Sequence, residues 1–153
     1  MIRFLSNVPD WNPIWKIKTK ERLVVDLGTC RDQQGIVREL VTLLKGRDSP
    51  KLVGGNSLDV LADVMGDWFI EHWGETIEIY IRGADAIKRC DPALLPLIAD
   101  CMQSAFDRGA RNAHLVGRDT PYEEAKKRVT IFFCWPGEAP RKNRVLSRNA
   151  RDT

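Results

Sequence analysis

Three aspartates, Asp59, Asp63 and Asp67, recur at every fourth residue in a stretch that carries no base. From Leu52 to Ile81 there is no Lys or Arg, while Glu71, Glu75 and Glu78 add further acid. Set on a helix at about 100° per residue, Leu58, Leu61, Ala62, Val64, Met65 and Trp68 gather on one side and the aspartates fill a narrow arc on the other. Like charges at this spacing repel, and Asp is a poorer helix former than Glu. Asp59 alone gains from the positive end of the helix. Such a row can hold a hard cation or meet a cationic surface. A Mg²⁺ site normally draws ligands from several elements and a substrate phosphate, which Asp59 and Asp63 alone do not supply. The pattern therefore points to a partner that brings the cations, a protein whose basic site ordinarily holds phosphate. The plain alternative is a solvated polar face.

Other reactive side chains do not assemble into a familiar site. His72 has no Ser or Cys that the sequence places beside it as a nucleophile. No P-loop, no G-x-G-x-x-G and no H-E-x-x-H is present. Cys30, Cys90, Cys101 and Cys134 lack C-x-x-C spacing, and neither His72 nor His114 stands at a zinc-finger distance from a cysteine pair. The expectation is a protein without catalytic residues, metal or cofactor, with reduced and mostly buried thiols.

The elements that position the aspartates follow from apolar spacing. Leu23–Leu27 is a β-branched run ended by Gly28, hence a strand. Asp32 caps a helix whose Ile36, Val37, Leu40, Val41 and Leu44 recur at helical steps up to Gly46. After a loop over 47–55, Asn56 or Ser57 caps the acidic helix, which runs to about Trp68. Thr76–Ile81 alternates as a second strand, and Asp91-Pro92 opens a helix that Gly109 ends. Thr120-Pro121-Tyr122-Glu123 has the form of a capping box before a short helix. Val129–Cys134 is a continuous apolar strand. The order β-α-α-β-α-β, with that short extra helix before the last strand, predicts an α/β fold in which a short three-stranded parallel sheet is packed by helices.

Charge divides the chain as the elements do. Of 153 residues, 24 are Lys or Arg and 21 Asp or Glu, a net +3 that by itself would indicate an acidic partner. Residues 1–20 carry +3 and residues 135–153 carry +3, which leaves 21–134 at −3. The predicted organisation is an N-terminal extension over 1–20, a folded domain over 21–134 and a basic C-terminal tail over 135–153. With no signal-like or membrane-length apolar run, the expected location is the cytoplasm, with no membrane partner.

The run Gly54-Gly55-Asn56-Ser57-Leu58-Asp59-Val60-Leu61-Ala62-Asp63, followed by Gly66-Asp67-Trp68, resembles the signature of the barstar family, intracellular inhibitors of barnase-type ribonucleases. The resemblance implies a barstar-like fold and inhibition by insertion of the acidic helix and its preceding loop into the basic active site of a nuclease, for self-protection or immunity. It places Asp63 where the family's aspartate enters that site, Asp59 at the neighbouring carboxylate, Gly54 at the loop glycine and Trp68 at the tryptophan near the helix end. Together with Gly55, Asn56, Ser57, Val60 and Asp67 these make the expected partner-binding set. One extra residue follows Asn56, Leu52 and Val53 stand where the family has tyrosines, roughly fifteen residues are inserted before the last strand, and Asp107 is the nearest counterpart of a third-helix glutamate. The departures bear on which nuclease is bound. Two other readings stay open: a non-inhibitory module whose acidic face binds another basic protein, and a nucleic-acid binder that uses the tail. No nucleic-acid partner is expected on the first reading.

Overall fold

The computed structural model describes residues 2–5, 21–45 and 57–135. Its strands are β1 (Ile2–Leu5), β2 (Glu21–Asp26), β3 (Ile77–Arg82) and β4 (Val129–Cys134). The helices are α1 (Gln33–Lys45), α2 (Leu58–Glu71), α3 (Asp85–Cys90), α4 (Leu94–Asn112) and α5 (Tyr122–Arg128), with a 3₁₀ turn at Ala113–Val116. The strands form one wholly parallel sheet in the order β1-β4-β3-β2. The sheet has four strands, not the three expected. Ile2–Leu5 lies in register with Ile131–Cys134, so part of the segment read as an extension belongs to the sheet. Four residues are too few for a period-two signal to mark a strand. The remainder of the extension, residues 6–20, and the basic tail from 136 onward lie outside the described residues.

One face of the sheet carries the core. Ile77, Ile79 and Ile81 on β3 and Val129, Ile131 and Phe133 on β4 are all buried, and they meet the apolar sides of α1, α2 and α4. Asp32 caps α1 as its sequence indicates, its Oδ1 accepting from Gly35 N–H at 2.7 Å. Ser57 caps α2, its Oγ accepting from Val60 N–H at 3.3 Å. Several helical details differ from expectation, among them that α4 runs past Gly109 to Asn112. The six-residue α3 was not foreseen, because it buries only Ala86 and Ile87 and shows no full helical period. Its end at Asp91 leads into a tight turn, in which Asp91 Oδ1 accepts from Ala93 N–H at 2.9 Å before α4 starts. The capping box at Thr120–Glu123 does not form. Pro121 occupies the cap position without a side-chain bond, and Thr120 instead gives its carbonyl to Trp73 Nε1–H at 2.8 Å.

Helix α2 extends through Glu71, one turn past Trp68, because Trp68 and Phe69 are core residues rather than a terminus. It makes its largest helix contact with α4. Phe69 meets Phe106 edge-on at 5.3 Å, Phe106 meets Trp73 at 4.8 Å, and Cys101 Sγ–H donates to Leu58 O at 3.3 Å. Gly109 sets how close the two helices come. A Cβ there would lie 2.8 Å from Phe69 Cβ and 3.4 Å from Trp73 Cε3. Gly109→Ala is therefore expected to destabilise the fold by about 1–3 kcal/mol through overpacking, although alanine is the better helix former. Urea unfolding measures this, and a variant as stable as wild type would show that α2 and α4 separate without cost.

Candidate functional site

The outward face of α2 is the feature that the fold presents most clearly. Asp59, Asp63 and Asp67 are all exposed, and the added turn brings exposed Glu71 into the same series. The row is thus four carboxylates at four-residue steps, each about 6 Å along the axis from the last. The opposite side of the helix, with Leu61, Val64, Met65, Trp68 and Phe69, is buried. A rigid core face fixes the direction of the acidic one.

The row has an internal cation that the sequence did not reveal. Arg108, projecting from α4, donates from Nη1 to Asp63 Oδ1 at 3.0 Å and from Nη2 to Asp67 Oδ1 at 3.0 Å. Nη1 also approaches the Asp63 carbonyl at 3.4 Å. The row does not depend on a partner alone for cations. No base lies within the segment, yet a neighbouring helix supplies one guanidinium to the two middle carboxylates. Gly66 explains the route, because a Cβ at that position would stand 3.0 Å from Arg108 Cδ. The signal was present in the sequence as a glycine between two aspartates in mid-helix, where it costs stability unless something occupies the space.

Exposure decides what this bridge does. The side chains of Asp63 and Asp67 remain 79% and 60% exposed, and that of Arg108 37%. Exposed pairs of this kind contribute ~0–1 kcal/mol. Asp59 and Glu71 form no ion pair among the described residues.

The remaining expected partner-binding residues fall into three groups. Ser57 is exposed at the start of α2, beside the row. Val60 is half-buried and packs against the core, and Trp68 is buried, its ring stacked on His72 at 4.4 Å. Gly54, Gly55 and Asn56 lie outside the described residues. Asp107 turns away from α2 and accepts from Tyr122 O–H at 2.8 Å and Gln103 Nε2–H at 3.1 Å, so it ties α4 to α5. Its hydrogen bond with the Tyr122 hydroxyl, followed by burial, raises that phenol's pKa.

Elsewhere, His72 Nδ1 lies 2.5 Å from Glu75 Oε2 at the end of α2. All four cysteines are free, with Cys101 and Cys134 buried and Cys30 and Cys90 half-buried. Burial pushes the thiols of Cys101 and Cys134 up to about 11, which keeps them protonated and unreactive at neutral pH. A cleft of about 440 Å³ at the carboxyl end of β2 is lined by Gly28, Thr29, Cys30, Arg31, Arg89 and Cys90. Among the described residues no three His, Cys, Asp or Glu side chains come together as a metal site, and no helix is long and apolar enough to cross a membrane. Comparison with protein-family models, curated proteins and solved structures returns no match.

The charge of Glu71 sits at the negative end of the α2 dipole and four residues from Asp67, where both neighbours disfavour it. Glu71→Gln is expected to stabilise the protein by roughly 0.3–1 kcal/mol at low ionic strength. Urea midpoints with and without salt measure this. A destabilised variant would show that the row serves the fold itself.

Proposed function

We propose that this chain is a non-enzymatic, barstar-like protein that inhibits a basic ribonuclease by laying the exposed face of α2 into the nuclease active site. The observation that carries the reading is the row from Asp59 to Glu71 on a helix whose other side is locked into the core. Carboxylates held about 6 Å apart on a rigid helix resemble successive phosphates of a nucleic-acid strand, and a ribonuclease lines its active site with bases to receive phosphates. The family resemblance supports the same face, because it places Asp59 and Asp63 in the inhibitory site. The parallel order β4-β3-β2 supports it as well, since these three strands are those the resemblance implies.

Gly54, Gly55, Asn56 and Ser57 would approach the nuclease beside the first turn of α2, with Asp63 at the centre of the contact and Asp59 and Asp67 flanking it. Trp68 and Val60 serve by shaping α2 from beneath. Neither metal nor cofactor takes part. The cell that holds the inhibitor is thereby protected, either from its own secreted nuclease or from one delivered by a neighbour. A cytoplasmic location follows from that role.

The test is RNA cleavage by a barnase-type ribonuclease titrated with wild type and with Asp63→Ala. Wild type is expected to inhibit. The truncation is expected to weaken binding by more than about 2 kcal/mol, as central charged residues do; barnase–barstar is one of the complexes from which that magnitude comes, so the figure is not independent support. Association is expected to slow as salt is added, because opposite fields steer the encounter. Binding without inhibition would assign the acidic face to a non-inhibitory module, and equal affinity of the two proteins would remove Asp63 from the contact.

A further inference from the structure

We propose that Arg108 is the positioning residue of the acidic face, holding Asp63 and Asp67 in the arrangement that an incoming cationic partner requires. The inference rests on the docking role proposed for α2 and adds a residue that the family resemblance does not supply. Its basis is the choice of atoms. The guanidinium takes Oδ1 of Asp63 and Oδ1 of Asp67, and the second oxygen of each carboxylate makes no hydrogen bond among the described residues. With the two side chains mostly exposed, those second oxygens stay accessible.

The fork geometry suits this task better than simple neutralisation does. A planar guanidinium fixes the orientation of two acceptors at once, whereas an ammonium is a point charge that fixes neither. Arg108 is itself held. Its stem crosses α2 at Gly66, where the missing side chain leaves room, and the next residue, Gly109, brings α4 against Phe69. Ordering the two aspartates before binding removes part of the entropic cost of freezing them in the complex. A purely masking cation would act in the opposite direction: it would lower the negative charge that attracts a basic partner and would have to be displaced.

The two roles differ in sign. Arg108→Met keeps an apolar stem over Gly66 and removes the charge, and Arg108→Lys keeps the charge and removes the fork. Binding of both to an inactivated barnase-type ribonuclease is measured by stopped-flow association and dissociation, with thermal unfolding as a check on the fold. Arg108→Met is expected to associate faster, because the face is more negative, yet to dissociate faster still, with a net loss of roughly tenfold in affinity. Arg108→Lys is expected to lose affinity through dissociation alone. Tighter binding by Arg108→Met would overturn the proposal in favour of masking, and unchanged affinity in both variants would reduce Arg108 to helix packing. A readout on the free protein separates this from the choice of nuclease. The guanidinium NMR signals of Arg108 are expected to show hindered rotation that is lost in the Asp63→Asn, Asp67→Asn double variant. Free rotation in wild type would overturn the positioning role even if the nuclease bound, and hindered rotation without nuclease binding would leave it standing while the ribonuclease reading fell.

Discussion

The close approach of α2 and α4 is the constraint on which the rest depends. Two glycines permit it from opposite sides, Gly109 on α4 beneath Phe69 and Gly66 on α2 beneath Arg108. The first lets the aromatic cluster of Phe69, Phe106 and Trp73 close, and the second lets a long cationic side chain cross the helix to reach two carboxylates. Packing and electrostatics therefore meet at one helix pair. With the apolar side of α2 packed into the core against α4 and α1, its carboxylates have one outward direction.

Stability does not account for that acidic face. The ion pairs to Arg108 are too exposed to contribute much, and repulsion along the row opposes the helix. A single guanidinium among four carboxylates leaves the face negative. A surface kept at some cost to its own helix is the ground on which a basic partner, complementary in charge, is proposed. The net charge of +3 points the other way only because it sums two basic ends with the acidic domain between them.

Much of this was legible in the sequence, and the exceptions have identifiable causes. Alternating isoleucines announced β3, Asp32 announced the start of α1, and the four-residue spacing of the aspartates announced the face of α2, because each signal is local. Arg108 was not legible, since its partners stand more than forty residues away and only tertiary packing joins them. The strand at Ile2–Leu5 depends in the same way on β4 far along the chain. The capping box at Thr120–Glu123 does not form because α5 starts one residue later than the pattern implies, with Pro121 rather than Thr120 at the cap position, while the Thr120 carbonyl accepts from Trp73. The end of α2 at Glu71, beyond Trp68, is set by Phe69, whose burial in the core carries the helix a turn further.

The central claim, that the outward row of α2 is the surface covered by a basic ribonuclease, is most directly tested by carboxylate footprinting. The protein is labelled with a carbodiimide and an amine, alone and mixed with an inactivated barnase-type ribonuclease, and each acidic residue is read by mass spectrometry. The expected result is protection of Asp59, Asp63, Asp67 and Glu71 in the mixture, while Glu123 and Glu124 on α5 label as before. Equal labelling of the α2 row with and without the nuclease, at concentrations where the two proteins are bound, would contradict the account.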